Sequence, residues 1–382
     1  MQFKNLALAA IVATATAQEQ QNLTAALSSN PELSNLTSFL GALPDFVGQL
    51  SQLQNVTLLA PNNEAFAEFL NSSAGSGLAS GSDSALIQAI LSYHVLNGTY
   101  ESFGENVTFV PTALQPPQFA NVTGGQRVEV IPSGGNATFL SGLLANSTAV
   151  GNATNFTGGV VHVIDRFLVV PQNISETAIQ ANLTSAVGAL LKADLATTLD
   201  GLSDVTVFVP DNAAFRAIGN LVGNLTTENL TSILTYHVVN GTVAYSTDLS
   251  NTSIPTLGGG NVTITVDGDS VFVNSARVTV PNVLVANGVV HVIDSVLNPA
   301  NSTAEPNPSE SSGVPAFAGA QDQDDGLASG VPTPTASLNP TSEASAAATA
   351  TSSSSSGGAM PMITGAIAPA ALFGAGAILA NL

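Results

Sequence analysis

The chain has 382 residues, six of them basic and twenty-six acidic, with a net charge of −20 and no cysteine. That charge is repelled by phosphate backbones and by anionic lipid surfaces, which excludes nucleic-acid binding and electrostatic membrane docking. The missing thiols exclude disulfides, thiolate metal sites and cysteine nucleophiles, so stability must come from buried apolar surface.

Residues 1–17 read as a secretory signal, with Lys4 at the start, an apolar run over Leu6–Val12 and the small-residue site Ala15-Thr-Ala17. A first module is expected over 20–171. Leu33, Leu36, Phe39, Leu40 and Leu43 recur at helical spacing. A short apolar strand, Val56–Ala60, ends at Pro61, and the Asn-Asn-Glu that follows supplies capping groups for a helix whose first apolar contact is Phe66. The Gly/Ser run Ser72–Ser84 reads as an inserted surface loop.

A second module, expected over 172–298, repeats the first. Asn55-Val-Thr-Leu-Leu-Ala-Pro-Asn-Asn-Glu-Ala-Phe66 returns as Asp204-Val-Thr-Val-Phe-Val-Pro-Asp-Asn-Ala-Ala-Phe215. Tyr93-His-Val-Leu-Asn-Gly-Thr99 returns as Tyr236-His-Val-Val-Asn-Gly-Thr242, and Gly159-Val-Val-His-Val-Ile-Asp165 returns as Gly288-Val-Val-His-Val-Ile-Asp294. Three blocks in one order mean a duplicated domain. Leu183 to Leu199 reads as one opening helix, Val262 to Val273 as a hairpin turning at Asp267-Gly268, and Val289–Ile293 as a central strand. Helices first and strands later predict an α+β fold for each module.

Residues 299–356 are rich in Ser, Thr, Ala and Pro, with an acidic patch at Asp322–Asp325. They predict a disordered, O-glycosylated stalk, because such a composition cannot bury enough apolar area to offset its ordering entropy. Residues 357–382, with the apolar stretch Gly365–Leu382, match the signal for a glycolipid (GPI) anchor whose tail is removed, with attachment expected near Ser356 or Gly357. A membrane span is the alternative, disfavoured by Pro369 and by the missing basic flank.

Nineteen asparagines head an Asn-x-Ser/Thr sequon without proline at x, about three times the number chance would give. Glycans are expected at Asn97, Asn106, Asn121, Asn136, Asn146, Asn152, Asn173, Asn224, Asn240, Asn251 and Asn261. Asn97 and Asn240 sit in Asn-Gly turns, from which a glycan can project. Asn55 is expected to be buried at the start of its strand and unmodified.

The three ordered blocks resemble the signature motifs of the fasciclin domain, twice over, across roughly residues 20–298. The resemblance implies two compact α+β domains, each a β-wedge or sandwich with surrounding helices. It also implies adhesion between cells or between cell and matrix, often from tandem copies on a lipid anchor. The signal, stalk and tail resemble those of fungal surface proteins. Pro61, Phe66, His162, Asp165, Pro210, Phe215, His291 and Asp294 would be structural. Tyr93, His94, Tyr236 and His237 carry the partner-binding share that the resemblance gives the Tyr-His block, beside a reading in which all four histidines are buried and neutral.

No cofactor, metal or catalytic residue is expected. The two histidines of each module recur without a third ligand, and no nucleophile elbow or phosphate-cradling loop stands in the right context. The expected function is a non-enzymatic cell-surface adhesion glycoprotein. Its partner would be a cell-surface or matrix protein, a glycan or a second copy, and it would meet the membrane only through its lipid anchor. A passive wall or coat component is the alternative, and an enzyme acting on wall polysaccharide a further one.

Overall fold

A computed structural model describes residues 21–72, 75, 84–115, 118–307 and 315–332. The secretory signal, most of the Ser72–Ser84 loop, the stalk beyond 332, and the anchor signal with Ser356 and Gly357 lie outside the described residues.

Module one begins with helices α1 (Leu23–Ser28), α2 (Ser34–Gly41) and α3 (Pro44–Gln52). Pro44 starts α3, which is why the periodic leucines do not continue in a single helix. Strand β1 (Val56–Pro61) leads into α4 (Asn63–Leu70), and the Asn62 side chain caps that helix by accepting from the Ala65 N–H. Helix α5 (Ser84–Tyr93) and strands β2 (Val95–Asn97), β3 (Thr108–Pro111), β4 (Arg127–Ser133), β5 (Asn136–Leu140), β6 (Asn146–Phe156) and β7 (Gly159–Ile164) follow.

Module two repeats the plan. Its elements are α6 (Ile174–Gln180), α7 (Thr184–Lys192), α8 (Ala196–Asp200), β8 (Val205–Pro210), α9 (Asn212–Ala217), α10 (Gly219–Val222) and α11 (Thr227–Tyr236), then β9 (Val238–Asn240), β10 (Thr252–Pro255), β11 (Asn261–Asp267), β12 (Ser270–Val273), β13 (Ala276–Val285) and β14 (Gly288–Ile293). The single helix expected over Leu183–Leu199 is two helices, because Asp194 takes a left-handed φ of 55° between them. Asp211 caps α9 as Asn62 caps α4. The hairpin at Asp267 forms as the sequence indicates, with Asp267 paired to Ser270.

Each module has one seven-stranded sheet, ordered β2-β1-β7-β6-β5-β4-β3 and β10-β11-β12-β13-β14-β8-β9. The first and last blocks of each repeat pair in parallel, β1 with β7 and β8 with β14, and the other pairings are antiparallel. Alternation then sorts the side chains. Val56, Leu58, Ala60, Val161 and Val163 face the helices, while Leu59 and Ile164 face the curled wedge of β3–β6. Module two divides in the same way, with Val205, Val207, Val290 and Val292 on the helix side and Phe208 and Ile293 on the wedge side. Phe66 and Phe215 are both buried on the helix side.

The expected stalk does not begin at 299. Residues 315–332 lie against module two, with Leu327 buried in its core and Phe317, Ala320 and Val331 packed beside it. Composition missed this, because a few apolar residues spaced along a polar segment suffice once a furrow exists to receive them. No helix among the described residues is long and apolar enough to cross a membrane.

Candidate functional site

The Tyr-His blocks form matched internal frameworks. His94 follows α5, and its Nδ1–H donates to the Ile90 carbonyl at 2.7 Å while Nε2 accepts the Leu168 N–H at 3.0 Å. His237 does the same after α11, donating to Ile233 O at 2.7 Å and accepting from Leu297 N at 2.9 Å. A carbonyl only accepts and an amide N–H only donates, so these partners fix one neutral tautomer. A second ring proton would face an N–H. Burial accordingly lowers the pKa of both imidazoles to about 4, against a smaller opposing effect of the carbonyl bond. Each framework ties the end of a helix to the chain leaving the last strand of its module.

The preceding tyrosines are spent in the same way. Tyr93 Oη donates to Arg127 O at 3.0 Å, and Tyr236 Oη to Asn261 O at 2.6 Å, the first residues of β4 and β11. Tyr93 is 0 % exposed, Tyr236 1 %, His94 3 % and His237 2 %. The binding role expected at these four positions is therefore corrected. They present no side-chain surface to a partner and instead hold helix, wedge and strand together.

The second histidines lie on β7 and β14, facing bulges in the antiparallel neighbour. Register slips between Val150 and Thr154 opposite His162, and between Val280 and Val283 opposite His291. His162 Nε2–H donates to Tyr100 O at 2.6 Å, and His291 Nε2–H to Ala244 O at 2.9 Å. Burial lowers both pKa values, that of His291 to about 4. Asp165 and Asp294 accept the Thr148 and Arg277 N–H groups. Among the described residues no group of three or more His, Cys, Asp or Glu side chains is placed to hold a metal ion.

The bulges have different fates in the two modules. The first carries the exposed sequon Asn152. The second carries Asn282, at φ 61°, whose Nδ2 donates across the joint between the modules to Glu129 Oε1 at 3.0 Å. Glu129 is 1 % exposed, and burial raises its pKa to about 8 against a smaller lowering by the Asn282 bond. Its second oxygen has no hydrogen-bond partner. Around this pair, Phe109 of module one stacks on Tyr245 of module two at 4.0 Å, with the Arg127 guanidinium 5.8 Å from the Tyr245 ring. Gln126 Nε2 donates to Val285 O, and Asn121 N–H donates to Ala286 O, each at 2.6 Å. Sequence reasoning missed this joint. The available signals are a lone carboxylate inside the apolar run Val128–Ile131 and a Pro281-Asn282 break in an apolar strand.

The joint also uses a sequon. Asn121 Nδ2 donates to Leu202 O at 3.0 Å, and the Thr123 hydroxyl donates to Asp204 Oδ2 at 2.6 Å. Both residues that define the sequon are thus engaged by module two, against the expectation of a glycan at Asn121. None of the nineteen sequon asparagines is fully buried, and Asn97, Asn106, Asn136, Asn152, Asn224, Asn240, Asn251 and Asn261 are exposed. Asn146 and Asn173 are half-buried. Asn55 is exposed rather than buried, at φ 59° just before β1, and its Oδ1 accepts the Thr99 N–H.

A cleft of about 780 Å³ opens where module one meets the first helix of module two, lined by Phe69, Leu86, Phe119 and Phe167 of module one, with Glu68 and Arg166 of module one and Glu176 of α6 contributing charge. Arg166 bonds the Asn146 amide oxygen at 3.3 Å. No histidine lines this cleft.

Two α+β repeats with matched Tyr-His frameworks define a tandem fasciclin architecture, and the fasciclin domain family matches residues 31–171 and 181–299. The chain belongs to that family. It is 41 % identical over 318 residues to a fasciclin-like arabinogalactan protein of Arthroderma benhamiae, an alignment covering 82 % of this chain and 75 % of that one. Against the fasciclin-like arabinogalactan protein elcF of Phaeosphaeria nodorum it is 33 % identical, covering 72 % and 88 %. A solved FAS1 domain pair from the insect cell adhesion molecule Fasciclin I gives a TM-score of 0.34 at 18 % identity, covering 70 % of this chain and 98 % of that one.

Proposed function

We propose that this chain is a non-enzymatic adhesion glycoprotein, displayed outside the cell on a lipid anchor and binding a cell-surface or matrix protein, a glycan or a second copy of itself. One observation carries the reading: the tyrosines and histidines repeated between the modules are spent internally. Tyr93, His94, His162 and their counterparts satisfy backbone groups, so what each module offers a partner is its outer surface. Exposed sequons spread over both modules suit that surface to a glycosylated exterior. Membership of the fasciclin family and similarity to proteins named as arabinogalactan proteins support the same reading. Two modules on one chain, and many chains on one surface, raise a weak single contact by effective concentration.

The test is an array of matrix proteins and polysaccharides probed with the full-length secreted protein, before and after deglycosylation. Saturable binding to one class is expected. Silence of both preparations would favour a passive coat protein, and turnover abolished by a single carboxylate change would favour an enzyme. Release from intact cells by a phosphatidylinositol-specific phospholipase tests the anchor.

A further inference from the structure

The docked segment 315–331 lies in a furrow of module two between α7 and α9–α10, and that furrow is built to receive main chain. A Cβ on Gly188 of α7 would stand 1.8 Å from the Leu327 carbonyl oxygen, and one on Gly219 of α10 would stand 2.0 Å from the Gln323 carbonyl oxygen. No side chain fits at either place. Asn220 reads the backbone in both directions, its Nδ2 donating to Gly319 O at 3.0 Å and its Oδ1 accepting Gln321 N–H at 2.8 Å. Gln323 N–H donates to Arg216 O at 2.9 Å. Ser185 Oγ donates to Asp325 Oδ2 at 2.8 Å, while Asp325 Oδ1 accepts Leu327 N–H at 2.8 Å. That local turn aims Leu327 into the core.

Among its described residues, module one does not repeat the two glycines that open this furrow. Asn35 N–H bonds Asn63 Oδ1 as Ser185 N–H bonds Asn212 Oδ1, which aligns α2 with α7. In that alignment Ser38 stands where Gly188 does, and Leu70 follows Phe66 at the interval that separates Gly219 from Phe215. Both Ser38 and Leu70 are exposed. The furrow is therefore a property of module two rather than of the repeat.

We propose that this furrow is a peptide-binding site, selective for an acidic segment of the form Gln-Asp-Asp-Gly-Leu, and that residues 315–331 occupy it as a separable strap. Recognition is by paired backbone bonds, one carboxylate and one leucine anchor, in the manner of an extended-peptide ligand. A tether from Leu297 keeps the strap at high effective concentration, so a modest intrinsic affinity holds it in place. While bound, the strap sets the point at which the remaining chain leaves module two, beside α7 and α9 rather than at the end of β14. Pulling on the chain beyond 332 loads the strap before it loads the sheet.

The test uses the full-length chain carrying Leu327→Asp, and a synthetic peptide of residues 315–331 with the native sequence. Hydrogen exchange at the Gln321, Gln323 and Leu327 amides should be protected in the native chain and rapid in the variant. The peptide should bind the variant saturably, bind the native chain at least about tenfold more weakly because its furrow is filled, and fail to bind a Gly188→Leu, Leu327→Asp double variant. If Leu327→Asp compromises folding, Gln323→Pro removes the donor to Arg216 O without touching the core and serves in its place. Unchanged protection in the released variant, or no peptide binding to a folded one, overturns the proposal.

Discussion

Asn282 and Glu129 come from different modules and meet where neither is exposed, the amide of one donating to the carboxyl of the other at 3.0 Å. The repeat places them there. Glu129 stands two residues into β4, where the register of module two has Thr263, and Thr263 is exposed. Only the docking of module two buries the carboxyl. Asn282 owes its position to the bulge opposite His291, so the framework of one module holds the group that grips the other.

The joint should weaken with rising pH. A carboxyl whose folded pKa is raised to about 8 from 4.5 contributes stability that is fully present below 4.5 and is lost as pH rises to 8. Glu129→Gln keeps an acceptor for Asn282 and removes the titration. Its melting temperature should exceed that of the native chain at pH 8 and show a shallower decline between pH 5 and 8. Thermal melts across that range check this, and parallel curves for the two proteins would count against it.

The histidines work in the opposite direction. His94, His237 and His291 have folded pKa values of about 4 against 6.5, so the unfolded chain binds more protons between those values. Their contribution is present above 6.5 and is lost as pH falls to 4, at about 1.4 kcal/mol per unit for each group. Chemical denaturation at pH 7 and pH 4.5 should show a large drop in stability, and replacing His237 should reduce the slope.

His237→Ala leaves the Ile233 carbonyl and the Leu297 N–H without their buried partner and opens a cavity. A loss of about 2–4 kcal/mol is expected, read as a lower denaturation midpoint at pH 7. His94→Ala should behave alike in module one. Full stability with lost cell attachment would instead make these residues contact groups.

Asn121 should be empty in the secreted protein. Its amide and the Thr123 hydroxyl are both taken by module two, and a glycan would stand in the joint. Glycopeptide mapping should find Asn136 and Asn240 modified and Asn121 bare. Molecules modified at Asn121 should be cleaved more readily near residues 171–173, where the modules are linked.

Much of this architecture was legible in the residues. The duplicated blocks predicted two α+β modules, the caps at Asn62 and Asp211, the hairpin at Asp267 and the central strand at Val289–Ile293. Those features are local or periodic, and a single segment specifies them. The buried state of His94 and His237 was one of two readings, because an imidazole after a helix can point in or out and only the distant Leu168 and Leu297 amides decide. The joint and the strap depend on surfaces that exist only after each module has folded. Glu129, Asn282 and Leu327 therefore carried weak signals, and a Ser/Pro/Ala-rich composition hid a segment that docks.

The most direct measurement is attachment of cells to a surface coated with the purified, full-length glycoprotein, compared with an inert protein coat. Adhesion through an outer surface predicts attachment that rises with coating density and survives His94→Gln, a change inside the framework, as long as the protein stays folded. Coats that hold no more cells than the inert control, with and without their glycans, would contradict the account.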